Sequence, residues 1–333
     1  MEIYYSFIIP VYNRPDEIQE LLSSMKKLNF SKPFEIVIIE DGSNFTSGHV
    51  VSKFQKKLNI SYFKKQNTGP GDSRNYGMQK AKGNYFLILD SDCILPDNYL
   101  KKVDESIIKN FIHCFGGPDA AHDSFSDIQK AINYVMTSFF TTGGIRGGKK
   151  SVGKFQPRSF NMGLSKEAFI ETQGFGKIHP GEDPDLTIRL WKKGYETRLI
   201  KEAYVFHKRR ISWMKFYDQV KKFGKCRPIL NTWHPETKKI TYWFPTLFVI
   251  GVILSLISLF FSSFTLLFIL TFYVTLIFID SSIKNKSFKI GLLSLLALFI
   301  QFFGYGIGFF KSTIKVGILN QKPQAAFPML FFK

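Results

Sequence analysis

The first 120 residues alternate short apolar runs with segments of helical periodicity. The apolar runs are rich in β-branched and aromatic side chains and cover residues 3–9, 35–39, 60–63 and 85–89. In the segments between them, apolar positions recur every three or four residues, at residues 17–28, 48–58, 73–82 and 98–108. Such alternation predicts an α/β fold with a mostly parallel, Rossmann-like sheet and helices on both faces.

The pattern weakens between residues 123 and 154, where the glycine pairs at 143–144 and 147–148 predict a loop. Regular periodicity then returns in two helical segments and one strand-like segment, at residues 166–172, 185–193 and 203–206. The strand-like segment ends at His207. We therefore expect the globular domain to comprise residues 1–207.

The remainder of the chain has the pattern of a membrane protein. Residues 208–227 place basic side chains between apolar ones at helical spacing, which predicts an amphipathic helix in the membrane interface. A helix packed on the globular domain is the alternative. Three apolar segments of near-spanning length follow, at residues 243–261, 264–279 and 290–310. We expect an interface segment over residues 208–241 and a membrane region over residues 242–333, whose third apolar segment crosses the membrane, re-enters it or lies in the interface.

The net charge of +19 indicates an anionic partner. No zinc knuckle, RNP motif or helix-turn-helix is present, so we expect membrane lipids and a phosphorylated substrate, and no nucleic acid. Three widely spaced cysteines without a CxxC pair are typical of a reducing compartment. Because no leader precedes the first strand, and because the loop at residues 280–289 is rich in lysine, we expect a multi-pass protein of the cell inner membrane with its globular domain in the cytosol.

A pair of carboxylates, Asp90 and Asp92, directly follows the apolar run at residues 85–89. Ligands of open α/β sheets bind at the carboxyl ends of the strands. Carboxylate oxygens there are suitable ligands for Mg²⁺ or Mn²⁺, which would bridge a diphosphate. The alternative is two solvated aspartates in a turn. The position after a buried strand favours the metal site.

Other polar residues lie at the same predicted edge. Asp41 ends the second strand, where a carboxylate can accept a hydrogen bond from a nucleobase, although its motif taken alone is also that of an ordinary turn. Arg74 lies at a glycine-lined helix start suited to phosphate. Glu182 and Asp183 precede a helix, so one of them is either a general base for an acceptor hydroxyl or a helix cap. His207 is either a metal ligand or a buried, hydrogen-bonded imidazole.

Together these motifs resemble glycosyltransferase family 2, whose members have the GT-A fold and invert the anomeric centre. The resemblance extends over residues 3–227 and rests on motifs at residues 7–14, 40–43, 67–75, 89–92, 181–186 and 205–210. It implies that Pro10, Tyr12 and Asp41 line the nucleotide base, alongside the phosphate-binding arginine. It also implies that Asp90, Asp92 and His207 form a divalent metal site. Asp90 would face the ribose as well. By the same resemblance, Asp183 is the catalytic base.

Two features qualify the resemblance. The QxxRW-like segment of processive relatives is absent, which favours the addition of a single sugar. Asn161 stands where relatives carry an asparagine between small residues, and we expect it on the acceptor side with Glu182. The expected reaction is transfer from a nucleotide-sugar, with UDP-sugars favoured, to a lipid-linked or glycan acceptor in cell-surface polysaccharide or glycolipid assembly. A metal-dependent nucleotidyltransferase and an inactive nucleotide-sugar-binding scaffold remain the alternatives.

Overall fold

The computed structural model describes residues 2–120, 125–143, 154–207 and 212–332. It divides the chain into two compact units. The first contains Met1–His122, Gly153–Lys208 and Phe331–Lys333, and the second contains Asp123–Val152 and Arg209–Leu330. The predicted boundaries at residues 207 and 241 stay predictions. The predicted glycine-rich loop falls almost entirely outside the described residues.

The described part of the first unit contains ten strands in two sheets. They are β1 (Tyr5–Val11), β2 (Phe34–Asp41), β3 (Ile60–Lys65), β4 (Tyr85–Leu89), β5 (Cys93–Ile94), β6 (Cys114–Gly116), β7 (Asp119–Ala120), β8 (Asn161–Ser165), β9 (Thr197–Leu199) and β10 (Val205–His207). The main sheet has the order β3-β2-β1-β4-β8-β6-β9, and a small sheet has the order β5-β10-β7. In the main sheet, β8 runs antiparallel to both of its neighbours, and the other pairs are parallel.

Helices cover both faces of the main sheet. Up to residue 192 the described chain contains the helices α1 (Pro15–Met25), α2 (Gly48–Phe54), α3 (Pro70–Lys80), α4 (Tyr99–Lys109), α5 (Asp127–Thr137), α6 (Phe139–Thr142), α7 (Lys166–Thr172) and α8 (Glu182–Lys192), of which α5 and α6 belong to the second unit. Successive residues of β1 point to opposite faces: Phe7 joins a core cluster with α1 and α4, and Ile8 joins a second cluster with α3, α7 and α8. The predicted α/β class, with helices on both faces, is confirmed.

The second unit is helical in its described part. After α5 and α6 it contains α9 (Trp213–Trp233), α10 (Phe244–Leu259), α11 (Thr265–Asn285), α12 (Phe288–Ser312), a π-helix (Thr313–Ile318) and α13 (Pro323–Ala326). Three stretches are long and apolar enough to cross a membrane: Ile240–Leu259, Thr265–Asn285 and Phe288–Ile318. They coincide with the three apolar segments that the sequence predicts.

Glycines allow α9 and α12 to pack closely along each other. A Cβ atom at Gly224 would lie 2.2 Å from the carbonyl oxygen of Tyr305, and one at Gly308 would lie 2.4 Å from that of Lys221. Small residues permit this backbone approach between helices in a membrane region. The apolar side of α9, which includes Phe216, is therefore covered by α12 within the second unit. Contact of its basic side chains with lipid headgroups stays a prediction.

Candidate active site

A buried arginine joins two of the predicted carboxylate motifs. Arg74 lies in the first turns of α3, and its side chain is 4% exposed. Its Nη2 atom is 2.7 Å from Oδ1 of Asp90, and its Nη1 atom is 3.3 Å from Oε1 of Glu182. The guanidinium also lies 5.3 Å from the centre of the Phe175 ring. The turn after β4 and the start of α8, which are far apart in sequence, therefore meet at one edge of the sheet.

Asp92 lies in the tight turn between β4 and β5. Its side chain is 13% exposed, and its Oδ2 atom is 3.7 Å from Nη1 of Arg14. Arg14 forms a closer ion pair with Glu17, at 2.6 Å, and Glu17 also accepts a hydrogen bond from Ser91. Two aspartates thus face this edge of the sheet, each beside an arginine.

The carboxylate of Asp41 is buried and well supplied with donors. Its Oδ1 atom accepts from Lys65 at 2.7 Å and from the backbone N–H of Thr68 at 3.0 Å, and its Oδ2 atom accepts from the N–H of Gly69 at 3.0 Å. The following Gly42 has a φ of +71°, and a Cβ there would lie 2.6 Å from the backbone nitrogen of Asn67. This turn therefore requires glycine, and it ties the end of β2 to residues 67–69.

The turn after β1 lies beside the turn after β2. Asn13 has a φ of +55°, its N–H donates to Ser43, and its side-chain oxygen accepts from the N–H groups of Asn44 and Phe45. The preceding Tyr12 is 48% exposed. Pro10 precedes it in β1 and is paired with Ile39 of β2. Strand ends predicted to bind a nucleotide base are thus adjacent in the structure.

Asp183 and Glu182 begin α8 but have different surroundings. Glu182 is buried and bonds both to the guanidinium of Arg74 and to Nδ1 of His179, at 2.8 Å. Burial acts to raise the pKa of Glu182, but His179 and Arg74 outweigh it and lower the pKa. Burial and the adjacent Glu182 raise the pKa of Asp183, and its Oδ1 atom has no hydrogen-bond partner in the described structure. Glu182 is thus held as an anion, while Asp183 has the greater affinity for a proton.

Two further predicted site residues lie on strands β8 and β10. Asn161, the first residue of β8, is fully buried: its Oδ1 atom accepts from the hydroxyl of Tyr99, and its Nδ2 atom donates to the carbonyl oxygen of Ala203. The structure therefore uses both of its side-chain groups inside the core, and contact with an acceptor stays a prediction. His207 ends β10, beside β5, but its side chain lies outside the described part of the protein.

The carboxylates at this edge of the sheet are candidate ligands for a divalent cation. Within the described ranges, no group of three or more His, Cys, Asp or Glu side chains is close enough to hold a metal ion by itself. Magnesium in nucleotide-dependent enzymes is commonly held by one or two carboxylates and completes its shell with substrate phosphates and water. Asp90 and Asp92 fit that requirement as donors of hard oxygen ligands.

Two side chains that support this site were not predicted from the sequence. His179 lies three residues before Glu182 and bonds to it, and Lys65 bonds to Asp41. The spacing of His179 before an acidic helix start was a usable signal. No local signal indicated the role of Lys65, because its partner Asp41 is 24 residues away along the chain.

Comparison with known proteins agrees with this architecture. Residues 6–171 match the family model "Glycosyl transferase family 2". TarS of Staphylococcus aureus strain Mu50, a poly(ribitol-phosphate) beta-N-acetylglucosaminyltransferase, is 37% identical over 100 residues, which are 29% of this chain and 18% of TarS. GalNAc(5)-diNAcBac-PP-undecaprenol beta-1,3-glucosyltransferase of Campylobacter jejuni is 26% identical over 198 residues, covering 56% of this chain and 60% of that enzyme. The chain thus spans only part of the length of these relatives.

Among solved structures, the mannosyltransferase PcManGT from Pyrobaculum calidifontis, in complex with GDP-Man and Mn²⁺, has a TM-score of 0.55. It is 12% identical, and the match covers 72% of this chain and 66% of that one. At this identity the likeness shows the fold alone, which is GT-A. Through residues 6–171 the chain belongs to glycosyltransferase family 2, as its motifs predict.

Proposed function

We propose that the protein is an inverting glycosyltransferase that moves a single sugar from a nucleotide-diphosphate sugar to a lipid-linked or membrane-proximal acceptor. The proposal rests on the ion pairs that Arg74 forms with Asp90 and Glu182, because they bring Asp90 and the start of α8 into one cluster. That cluster combines a site for a departing diphosphate with a carboxylate for an attacking hydroxyl. Assembly of a cell-surface polysaccharide or glycolipid would be its setting.

In the proposed reaction, the acceptor hydroxyl attacks the anomeric carbon from the side opposite the diphosphate. Asp183 takes the proton of that hydroxyl, and the bond between the sugar and the diphosphate breaks with inversion. Asp183 suits this role because its pKa is raised by burial and by Glu182. Glu182 is bound to Arg74 and His179, so we assign it to holding the start of α8 and give the acceptor-side proton transfer to Asp183.

The donor would lie along the strand ends. Asp41, with Pro10 and Tyr12, would contact the base, and Arg74 would contribute positive charge near the phosphates. Mn²⁺ or Mg²⁺, held by Asp90 and Asp92, would supply charge neutralisation for the leaving diphosphate, which needs no proton to depart. We include His207 in the proposed metal site on resemblance to the family alone.

We predict that a nucleotide-sugar with Mn²⁺ will stabilise the full-length protein against heat. Ligand linkage raises the free energy of unfolding by about 2.7 kcal/mol when the ligand is present at a hundred times its dissociation constant. The measurement is thermal unfolding with UDP-, GDP- and dTDP-sugars, of which UDP-sugars are the first candidates, followed by an assay for slow donor hydrolysis. Stabilisation without hydrolysis or transfer would indicate a binding scaffold, and no stabilisation by any donor would contradict the proposal.

The acceptor is proposed to be membrane-bound because three helices in the described part of the chain are long and apolar enough to span a membrane. The Campylobacter relative, by its name, acts on an undecaprenol-linked glycan. A lipid-linked acceptor would present its hydroxyl close to the membrane surface. Lys284, Lys286 and Lys289 lie where α11 ends and α12 begins, and the excess of lysine favours a cytosolic position for this connection. We propose a multi-pass protein of the inner membrane with its catalytic domain in the cytosol.

This topology predicts that the two ends of α11 differ in their accessibility to a reagent added outside the cell. Ser263 and Lys286 are both exposed in the structure and flank that helix. In intact cells, Ser263→Cys should react with a membrane-impermeant maleimide, and Lys286→Cys should react only after permeabilisation. The native cysteines are buried, which keeps the background low. Equal labelling of both positions in intact cells would contradict the proposed crossing.

A further inference from the structure

A short segment of the first unit packs against the loop that leads into α8, although the two are far apart in sequence. Phe331 forms an antiparallel bridge with Ile178, and the N–H of Phe332 donates to the carbonyl oxygen of Lys177 at 3.3 Å. Two backbone interactions therefore fix this segment, residues 331–332, against the loop that leads into α8. It belongs to the first unit, although the residues immediately before it belong to the second.

The ring of Phe332 contacts two loops of the candidate site. Its centre lies 5.9 Å from the centre of the His179 imidazole. The ring also lies against Gly69, where a Cβ atom would lie 2.2 Å from a ring carbon. Gly69 also has a φ of +92°, so both backbone conformation and space require glycine at this position.

Each of these two contacts leads to a residue with a proposed role. The N–H of Gly69 donates to Asp41, which we place at the nucleotide base. Nδ1 of His179 is bonded to Glu182, which is the neighbour of Asp183. The side chain of His179 is 41% exposed, so its bond to Glu182 competes with water on the open side. An aromatic ring packed against the imidazole restricts its rotation and favours the bonded orientation.

We propose that Phe332 is a positioning residue of the active site. Its ring packs against both Gly69 and His179 and holds His179 against Glu182, which fixes the start of α8 and the direction of the Asp183 carboxylate. This inference rests on the proposed function, because it needs Asp183 to act on the acceptor. Reactive groups must be held within a fraction of an ångström, and side chains that touch no substrate commonly provide this support.

The first test is Phe332→Ala in the full-length protein. We expect kcat for sugar transfer to fall about ten- to hundredfold, since small misplacements of reacting groups have effects of this size. KM for the donor should change less than threefold. Phe332→Tyr keeps the ring and should restore kcat to near the wild-type value. Met329→Ala is the matched control, because Met329 precedes the segment and is 86% exposed, and it should behave as wild type.

The second test separates positioning from general stabilisation. If Phe332 acts through His179, the double variant that carries Phe332→Ala and His179→Ala should lose no more activity than the single variant His179→Ala. Losses that multiply would overturn the proposal, and so would a Phe332→Ala enzyme with wild-type kcat. If Phe332→Ala does not fold, Phe332→Leu takes its place in the same cycle. A wild-type protein that transfers no sugar would contradict the proposed function itself, whereas an active wild type insensitive to Phe332 contradicts only this inference.

Discussion

Asp183→Asn should lose sugar transfer by about 10²- to 10⁴-fold while the protein still folds and binds its donor. Asparagine preserves the size of the side chain but cannot take a proton. Asp183 lies at the start of α8, two residues after Gly181, whose φ of +128° is in the region that favours glycine. Its raised pKa makes it the stronger proton acceptor of the two adjacent carboxylates. The measurement is the single-turnover rate of transfer, with the anomeric configuration of the product read by NMR.

Glu182→Gln is the matched control for this prediction. It changes the adjacent carboxyl in the same way and retains an oxygen that can accept from Arg74, so the loss of transfer should be smaller. A near wild-type rate in Asp183→Asn would contradict the assignment of the base. A product that retains the anomeric configuration of the donor would contradict the single displacement.

Thermal stability gives an independent check on the Asp183→Asn protein. Because the pKa of Asp183 is raised in the folded state, folding favours its neutral form. That contribution is fully present below the unfolded pKa, near 3.8, and is lost as the pH rises through the folded pKa. Asparagine is neutral at every pH. The variant should therefore gain stability relative to wild type as the pH rises through this window, and a loss of stability at neutral pH would indicate a structural role.

Asp92→Ala should reduce turnover by several orders of magnitude. The reason is the loss of a carboxylate ligand to the cation that neutralises the departing diphosphate, a contact worth several kcal/mol in the transition state. Asp92 is only 13% exposed and faces the edge of the sheet that carries Asp90. Calorimetric titration of Mn²⁺ in the presence of a nucleoside diphosphate should show weaker metal binding by the variant, whatever its activity.

Asp97→Ala is the control for the metal site. It removes a carboxylate from the same segment at an exposed position and should leave both metal binding and turnover unchanged. Activity that survives EDTA, or an Asp92→Ala enzyme close to wild type, would contradict the metal assignment.

Local patterns in the sequence were sufficient to predict strands and helices of the first unit. The strand at residues 85–89 and the helix at 166–172 have the predicted bounds, and other predicted elements differ by a few residues at their ends. The prediction of these elements succeeded because it depends on the spacing of apolar positions, which is a property of neighbouring residues. The motif of Asp90 and Asp92 was also readable, because its meaning depends on the strand directly before it. These local signals identified glycosyltransferase family 2.

The tertiary structure decided what depends on residues far apart in sequence. The antiparallel strand β8 lies between β4 and β6, which no local period indicates, and its insertion buries Asn161. Arg74 is predicted from its motif, but its position between Asp90 and Glu182 arises only when α3, β4 and α8 converge. Phe332 reaches His179 across more than 150 residues. Sequence periodicity reports which face of an element is buried, whereas such long-range partners are chosen by the packing of the whole unit.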